Sequence, residues 1–147
     1  EDVTYLFYRL TNYCGSWIKH CGWYPDAKTR LWKKGTAKWE GTIHEKLVSQ
    51  SPVKAIKGDI LHYSYPSISF HLSKINHFTD SMAEEMLEKG KKGSSMKLII
   101  SPPFKFIKKY IFQLGFLDGY AGFIVSTMAA YYVFVKYAKL RSLIKKN

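Results

Sequence analysis

Residues 22–47 of this 147-residue chain hold the side chains best suited to chemistry. They include three tryptophans, a Tyr-Pro-Asp turn, a single arginine and an adjacent His-Glu pair, which is more polar and aromatic chemistry than a hydrophobic core requires. A carboxylate at a strand end, partly desolvated by aromatic neighbours, can act as a general base because burial raises its pKa. Glu45 fits this description. From the residues alone, however, a salt bridge between Glu45 and one of the many lysines is the favoured role.

The same stretch is suited to binding sugars and phosphates. The planar fork of Arg30 matches phosphate or carboxylate. Tryptophan rings offer flat faces for sugar stacking, although each tryptophan taken singly is more typical of a core. Adjacent strand residues face opposite sides, so only one of His44 and Glu45 can point into a given cleft. The candidate binding residues are Trp23, Lys28, Arg30, Trp39 and His44.

The first half of the chain is predicted to form strands. β-Branched, aromatic and alternating patterns predict strands at residues 3–10, 29–33 and 37–44, with a turn at Lys33-Lys34-Gly35 between the last two. Residues 11–22 read as a loop or short helix that carries His20 in solvent. Residues 53–57 and 59–63 form either two paired strands across Gly58 or one strand with a bulge there.

The second half of the chain is predicted to form helices. Ser67 is placed to cap a helix whose inward face holds Leu72, Ile75, Met82 and Met86, and Gly90 is placed to end it. Two more helices are predicted at residues 104–114, after Pro102-Pro103, and at residues 119–145, with Asp118 as a possible N-cap. The expected fold is α+β, with a small, mostly antiparallel sheet, a covering helix and a helical C-terminal region.

The net charge of the chain indicates which classes of partner it can bind. The chain has 23 Lys and Arg against 11 Asp and Glu, a formal net charge of +12 that favours phosphate-bearing partners. Nucleic acid is not expected, because the aromatic residues cluster in apolar runs and RRM, KH and zinc-finger signatures are absent. A zinc site at Cys14 and Cys21 is disfavoured because their spacing is not that of a zinc motif.

Five motifs in order carry a resemblance that covers nearly the whole chain. They are WYPD, RLW, W-x-G-x-x-HE, GDILHYSY and GFLDGYAGF. Together they resemble the C-terminal half of bacterial family 2 glycosyltransferases, which build lipopolysaccharide cores and related surface glycans with a GT-A-like fold. The resemblance implies an inverting transfer from a nucleotide-sugar to a lipid-linked or lipopolysaccharide-core saccharide. It also implies that the chain is a piece of a longer protein and is inactive alone.

The resemblance also implies roles for two residues. An acidic residue in this part of such transferases faces the acceptor, so Glu45 becomes the expected catalytic base. A divalent metal, Mn²⁺ or Mg²⁺, is held in these enzymes mainly by a D-x-D pair, and a later histidine completes the site or touches the diphosphate. His62 takes that position, but the five aspartates of this chain are all isolated.

The C-terminal region, residues 96–147, is expected to lie on a membrane. Its uncharged run, residues 120–135, is shorter than a spanning helix needs and is followed by basic residues, a pattern typical of an anionic membrane interface. The competing interpretation is a helix packed on the sheet. Residues 1–95 are then the acceptor-side α+β part, and the expected location is the cytoplasmic face of the bacterial inner membrane. The alternative function is a non-catalytic basic module that binds membrane surfaces or anionic ligands.

Overall fold

A computed structural model describes residues 2–40, 46–49 and 51–146. It confirms the predicted α+β class. The strands are β1 (Thr4–Tyr13), β2 (Ser16–Ile18), β3 (Ala27–Leu31), β4 (Ala37–Glu40), β5 (Lys46–Ser49) and β6 (Val53–Tyr65). The helices are α1 (Ile68–Glu88), α2 (Ser95–Ile107) and α3 (Gly119–Lys146), and a π-helical turn (Lys108–Phe112) and a 3-10 turn (Gly115–Asp118) connect the last two.

The long strand β1 organises the main sheet. It pairs antiparallel with β2 and β3 and parallel with β6, so that Thr11 lies opposite Ile18 on one partner and His62 on another. β4 and β5 form a separate antiparallel pair. The predicted turn at Lys33 is present, since the Thr36 amide donates to the Lys33 carbonyl at 3.1 Å. The strands on its two sides therefore belong to different sheets.

The structure corrects the prediction for residues 11–22. Instead of a loop or short helix, β1 continues to Tyr13 and returns through a two-residue hairpin as β2. Cys14 and Gly15 both have positive φ, at 49° and 89°, which is the backbone that tight hairpins need. The Asn12 side chain accepts a hydrogen bond from the Gly15 amide at 3.0 Å and fixes the turn. Local turn chemistry therefore prolongs the strand.

Gly58 lies in a bulge of a single strand, as one of the two predicted alternatives has it. The register moves from Leu6 opposite Ala55 to Tyr8 opposite Asp59, so β6 carries extra residues at this point. Gly58 takes φ 111°, a conformation that side chains rarely allow. The bulge lets β6 follow β1 to its end, where Tyr65 lies opposite Tyr13.

Helix α1 begins and ends where predicted, and its buried face matches the prediction at Ile75 but not at Leu72. The Ser67 hydroxyl accepts from the Phe70 amide at 3.1 Å, and the helix ends at its C-cap Lys89, just before Gly90. Leu72 is 39% exposed, contrary to the prediction. The buried stripe repeats every four residues and is partly polar: His71, Ile75, Thr79 and Ala83. The Thr79 hydroxyl bonds the Ile75 carbonyl at 2.7 Å, which lowers the cost of burying it.

The second helix starts earlier than predicted. The Ser94 side chain accepts from the Lys97 amide, so α2 begins at Ser95 and contains Pro102 and Pro103 instead of starting after them. Asp118 also differs from prediction. Its carboxylate accepts from the amides of Lys19 and His20, at 3.2 and 2.8 Å, and contacts His20 Nδ1 at 2.8 Å. His20 is therefore half-buried and paired with Asp118, and Asp118 ties the loop after β2 to the helices.

The core joins the sheet to α3. Tyr13, Ile18 and Cys21 cluster with Ala121 and Val125, so packing crosses the boundary expected near residue 95. Glycine is required where α3 meets the 3-10 turn, because a Cβ on Gly122 would lie 1.9 Å from the Gly115 carbonyl oxygen. By length and composition, the segment Gly115–Lys146 is the one candidate membrane span among the described residues, and 22% of its most apolar window is buried.

Candidate functional site

A cleft of about 540 Å³ opens between the main sheet, the turn after β2 and helix α1. Strands β1 and β6 supply its floor, the turn supplies one wall and α1 supplies the other. The lining residues are Arg9, Thr11, Gly22, Trp23, Pro25, Asp26, His62, Ser64, Tyr65, Lys74 and Phe78.

The polar floor of the cleft is formed by alternate residues of β1 and β6, because every second side chain of a strand lies on the same face. Arg9 and Thr11 are two residues apart on β1, and His62 and Ser64 are two apart on β6, so each pair lies on one face of its strand. The parallel register sets Thr11 opposite His62. Residues distant in sequence therefore share one surface of the cleft.

Arg9 and Asp26 form the best-defined contact in the cleft. Arg9 donates to Asp26 Oδ2 from Nε at 2.8 Å and from Nη2 at 2.5 Å. Lys28 Nζ lies 2.9 Å from the other carboxylate oxygen. Burial alone would raise the pKa of Asp26, but the contact and charge of Lys28 and the charge of Arg9 outweigh it, so the pKa is lowered. Asp26 is therefore an ionised anchor that orients Arg9.

His62 is a neutral base in this cleft. Its pKa is lowered first by burial and then by the positive charges of Arg9 and Lys74. The Lys74 ammonium lies 5.0 Å from the centre of the Tyr65 ring and 4.9 Å from that of Phe70, within cation–π range. The cleft therefore combines two fixed cations with an uncharged imidazole.

An aromatic wall stands behind these groups. The Trp23 and Tyr65 rings lie 5.4 Å apart between centroids at an interplanar angle of 30°. Tyr65 in turn lies 4.5 Å from the His71 ring, and His71 Nδ1 is 3.1 Å from the Tyr13 hydroxyl. Burial lowers the pKa of His71 to about 4, so this histidine is a neutral part of the core. Trp23 is half-buried and keeps one side toward the cleft, where a sugar ring can stack.

The residues do not by themselves make a metal centre. In the described parts of the chain, no three histidine, cysteine, aspartate or glutamate side chains come together. Asp26 is the one carboxylate among the described residues that line the cleft, and it is already paired with two cations. The metal-ligand role of His62 stays a prediction.

The structure brings some of the candidate residues together and separates others. Trp23 and His62 line the cleft, and Lys28 joins it through Asp26. Arg30 is exposed on β3, where its guanidinium contacts only the Thr29 carbonyl among the described hydrogen bonds. Trp39 is 48% exposed on β4 and meets Trp32 edge to face at 6.1 Å. His44 and Glu45 lie outside the described residues, so their predicted roles stay predictions.

Sequence reasoning missed three of the charged and aromatic groups that define the cleft. Arg9 was visible as the charge that interrupts an apolar strand, and Asp26 as part of the Tyr-Pro-Asp turn. Neither feature reveals the other as its partner, because the pairing depends on how β3 returns along β1. Lys74 carries no local signal, since it is one of many lysines on a helix.

Comparison with known proteins gives one consistent answer. The chain is 30% identical over 129 residues to an uncharacterized glycosyltransferase of Rickettsia prowazekii, covering 81% of this chain and 44% of that protein. A glycosyltransferase of Rickettsia typhi is 30% identical over 128 residues, covering 80% and 44%. The lipopolysaccharide core biosynthesis glycosyltransferase LpsC of Rhizobium meliloti is 29% identical over 114 residues, covering 76% and 42%.

Other comparisons add nothing to this result. No protein-family model matches the chain, and no solved structure matches it significantly. The chain spans less than half the length of the relatives above, in their C-terminal part. The resemblance predicted from the five motifs is confirmed: over about four-fifths of its length, this chain is homologous to bacterial glycosyltransferases.

Proposed function

We propose that the chain is the acceptor-side and membrane-side portion of an inverting family 2 glycosyltransferase. The complete enzyme would move a sugar from a nucleotide-sugar to a lipopolysaccharide-core or lipid-linked saccharide at the cytoplasmic face of the bacterial inner membrane. The names of the relatives support sugar transfer, and the name of LpsC supports lipopolysaccharide core synthesis. The observation in the structure that carries the proposal is the cationic, aromatic cleft.

The cleft suits the charge that develops during sugar transfer. When the bond from the donor sugar to the nucleotide breaks, negative charge accumulates on the leaving diphosphate, and fixed positive groups stabilise it. Arg9 is held by Asp26, and Lys74 is held over two aromatic rings, so neither must reorganise during the reaction. The neutral imidazole of His62 can donate one hydrogen bond to the same group.

Asp26, the one carboxylate among the described residues that line the cleft, does not supply the catalytic base. An inverting transfer needs a group that removes the proton of the acceptor hydroxyl. Asp26 is unsuitable, because its two cationic partners lower its pKa and occupy both oxygens. Glu45 remains our proposed base, in line with the resemblance. Arg30 and Trp39, which do not line the cleft, and His44 remain proposed acceptor contacts.

A divalent cation, Mn²⁺ or Mg²⁺, belongs to the proposal for the complete enzyme. The cations around His62 would repel a metal ion and attract a diphosphate, which disfavours His62 as a primary ligand. The residues described here therefore do not fit a complete metal site, and no catalytic step of this chain depends on one.

The test is a transfer assay on the full-length gene product with a panel of nucleotide-sugars and a lipid-linked acceptor. Lys74→Gln removes a cleft cation and should lower kcat/KM by more than tenfold. Lys57→Gln, an exposed lysine outside the cleft lining, is the matched control and should have little effect. Glu45→Gln should abolish turnover while donor binding is retained. Equal activity of all three variants would overturn the proposed roles of Lys74 and Glu45.

The same cleft also supports the alternative function, a non-catalytic module for anionic ligands. That alternative predicts binding of a nucleoside diphosphate without sugar transfer by the full-length product. Retained binding with no turnover across the donor panel would favour it.

A further inference from the structure

One face of helix α2 is apolar and exposed. Large apolar side chains recur every three or four residues, so they share one side of the helix. This docking stripe consists of Met96, Ile99, Ile100, Phe104 and Ile107 on α2 and Ile111 in the π-helical turn that follows, each at least 44% exposed. Large exposed apolar patches on a folded chain mark contact surfaces.

The stripe continues around the turn toward α3. Phe112 is 73% exposed, and Leu117 and Tyr120 are also exposed. Helix α2 has no fully buried residue in the described part of the chain, although it packs along α3. The side chains of the stripe therefore face outward, whereas others on α2, such as Phe106, pack on α3.

The charge around the stripe selects the partner. The segment Ser95–Lys146 contains nine basic residues and one acidic residue, Asp118. The Asp118 side chain is only 6% exposed and is occupied by the loop after β2. Lys97, Lys108, Lys145 and Lys146 are exposed. An apolar stripe in a segment whose charged residues are almost all basic matches an anionic lipid leaflet, where lysines meet headgroups and apolar side chains enter the acyl boundary.

We infer that the docking stripe on α2 and its turn is the surface by which the protein binds an anionic membrane. This surface lies within the region 96–147 that was expected to contact a membrane, but on α2 and its turn and not on the uncharged run of residues 120–135. Helix α3 has another role along its C-terminal half, because Leu140 is fully buried and Lys139 Nζ lies 2.7 Å from Asp80 on α1. A helix packed in this way against a polar helix is not surrounded by lipid.

The stripe is coupled to the cleft. The Cys21 amide donates to the Gln113 carbonyl at 2.9 Å, next to Phe112 at the end of the stripe. Gly22 packs against Gln113 so closely that a Cβ there would lie 2.5 Å from its Oε1. Gly22 and Trp23 line the cleft. The inference deepens the proposed function on which it rests, because a membrane-bound stripe would hold the cleft near a lipid-linked acceptor.

The test is sedimentation of the chain with vesicles of phosphatidylcholine alone or with phosphatidylglycerol added. We expect binding to the anionic vesicles, weaker binding at high salt and little binding to the neutral ones. Ile100→Glu with Phe104→Glu should weaken binding more than tenfold. Leu61→Glu, at a residue 55% exposed on β6, is the matched control and should bind like the unaltered chain. Circular dichroism confirms that each variant is folded.

Insertion itself is measured by Phe112→Trp with brominated lipids. The four native tryptophans all lie before residue 40, so quenching beyond that of the unaltered chain reports the turn. Absence of vesicle binding, binding unaffected by the double substitution, or a dimer in solution that the double substitution dissociates would overturn the inference. Transfer to a soluble acceptor would persist in that case if the proposed function holds, so the two can fail separately.

Discussion

Arg9 on β1 and Asp26 in the turn before β3 are held together by side chain and backbone at once. Two guanidinium nitrogens of Arg9 reach the same Asp26 oxygen, at 2.8 and 2.5 Å, and the Arg9 amide donates to the Asp26 carbonyl at 2.9 Å. The pair fixes one wall of the cleft to its floor. Its polar groups are half-buried, so the geometry is defined without the full cost of burying an ion pair.

Replacing Asp26 tests this anchor. Asp26→Asn should lower the free energy of unfolding by about 1–2 kcal/mol at neutral pH, because a hydrogen-bonded charge is lost and Arg9 is left unpaired. The folded-state pKa of Asp26 is lowered, so its contribution is present above the unfolded pKa and is lost as pH falls through the folded one. Urea unfolding at pH 7 and pH 3 should show a smaller difference between variant and unaltered chain at pH 3 than at pH 7. An equal difference at both values would contradict the ionised pair.

His71 predicts a second pH dependence, with its own window. Its folded pKa is about 4, below the ordinary value near 6.5, because burial disfavours the charged ring. The unfolded chain therefore takes up a proton first, and stability present above about pH 6.5 is lost as pH falls toward 4. Between pH 7 and pH 5 the loss from this group should be about 2 kcal/mol.

The measurement for His71 is urea unfolding across that range for the unaltered chain and two variants. His71→Gln should be less stable at pH 7, because the contact with Tyr13 is altered, and its stability should vary less between pH 7 and pH 5. His77→Gln replaces an exposed histidine of the same helix and should keep the original slope. A slope unchanged by His71→Gln would show that another group is responsible.

Gly122 tests the packing of the helical turn. Gly122→Ala places a methyl group where the Gly115 carbonyl already lies, so the backbone must move, and we expect a loss of more than about 3 kcal/mol. Gly15→Ala is the comparison, because its Cβ meets open space and only the positive φ is strained. That change should cost about 1 kcal/mol. Thermal unfolding of both variants ranks them, and a milder effect at Gly122 would mean that the turn can relax.

Structural features that depend on residues close together in the chain could be predicted from the sequence. The Ser67 cap, the end of α1 before Gly90 and, as one of two alternatives, the Gly58 bulge were predicted because each depends on hydrogen bonds or backbone angles within a few residues. The five motifs likewise indicated glycosyltransferases, because short motifs in a fixed order can be recognised without knowing which residues are in contact. The roles of His44 and Glu45, which lie outside the described residues, rest on that resemblance.

Tertiary structure alone decided which residues meet. Arg9 and Asp26 are 17 positions apart, and their contact follows from the register of β3 on β1. The prediction for α1 failed at Leu72 because hydrophobicity alone favoured it, whereas packing against the sheet and α3 buried His71 and Thr79. The outward face of α2 was invisible for the same reason: an apolar helix looks alike in sequence whether its neighbours cover it or leave it for a membrane. Whether a residue is buried depends on the elements that pack against it, and the hydrophobic pattern of a helix does not specify those elements.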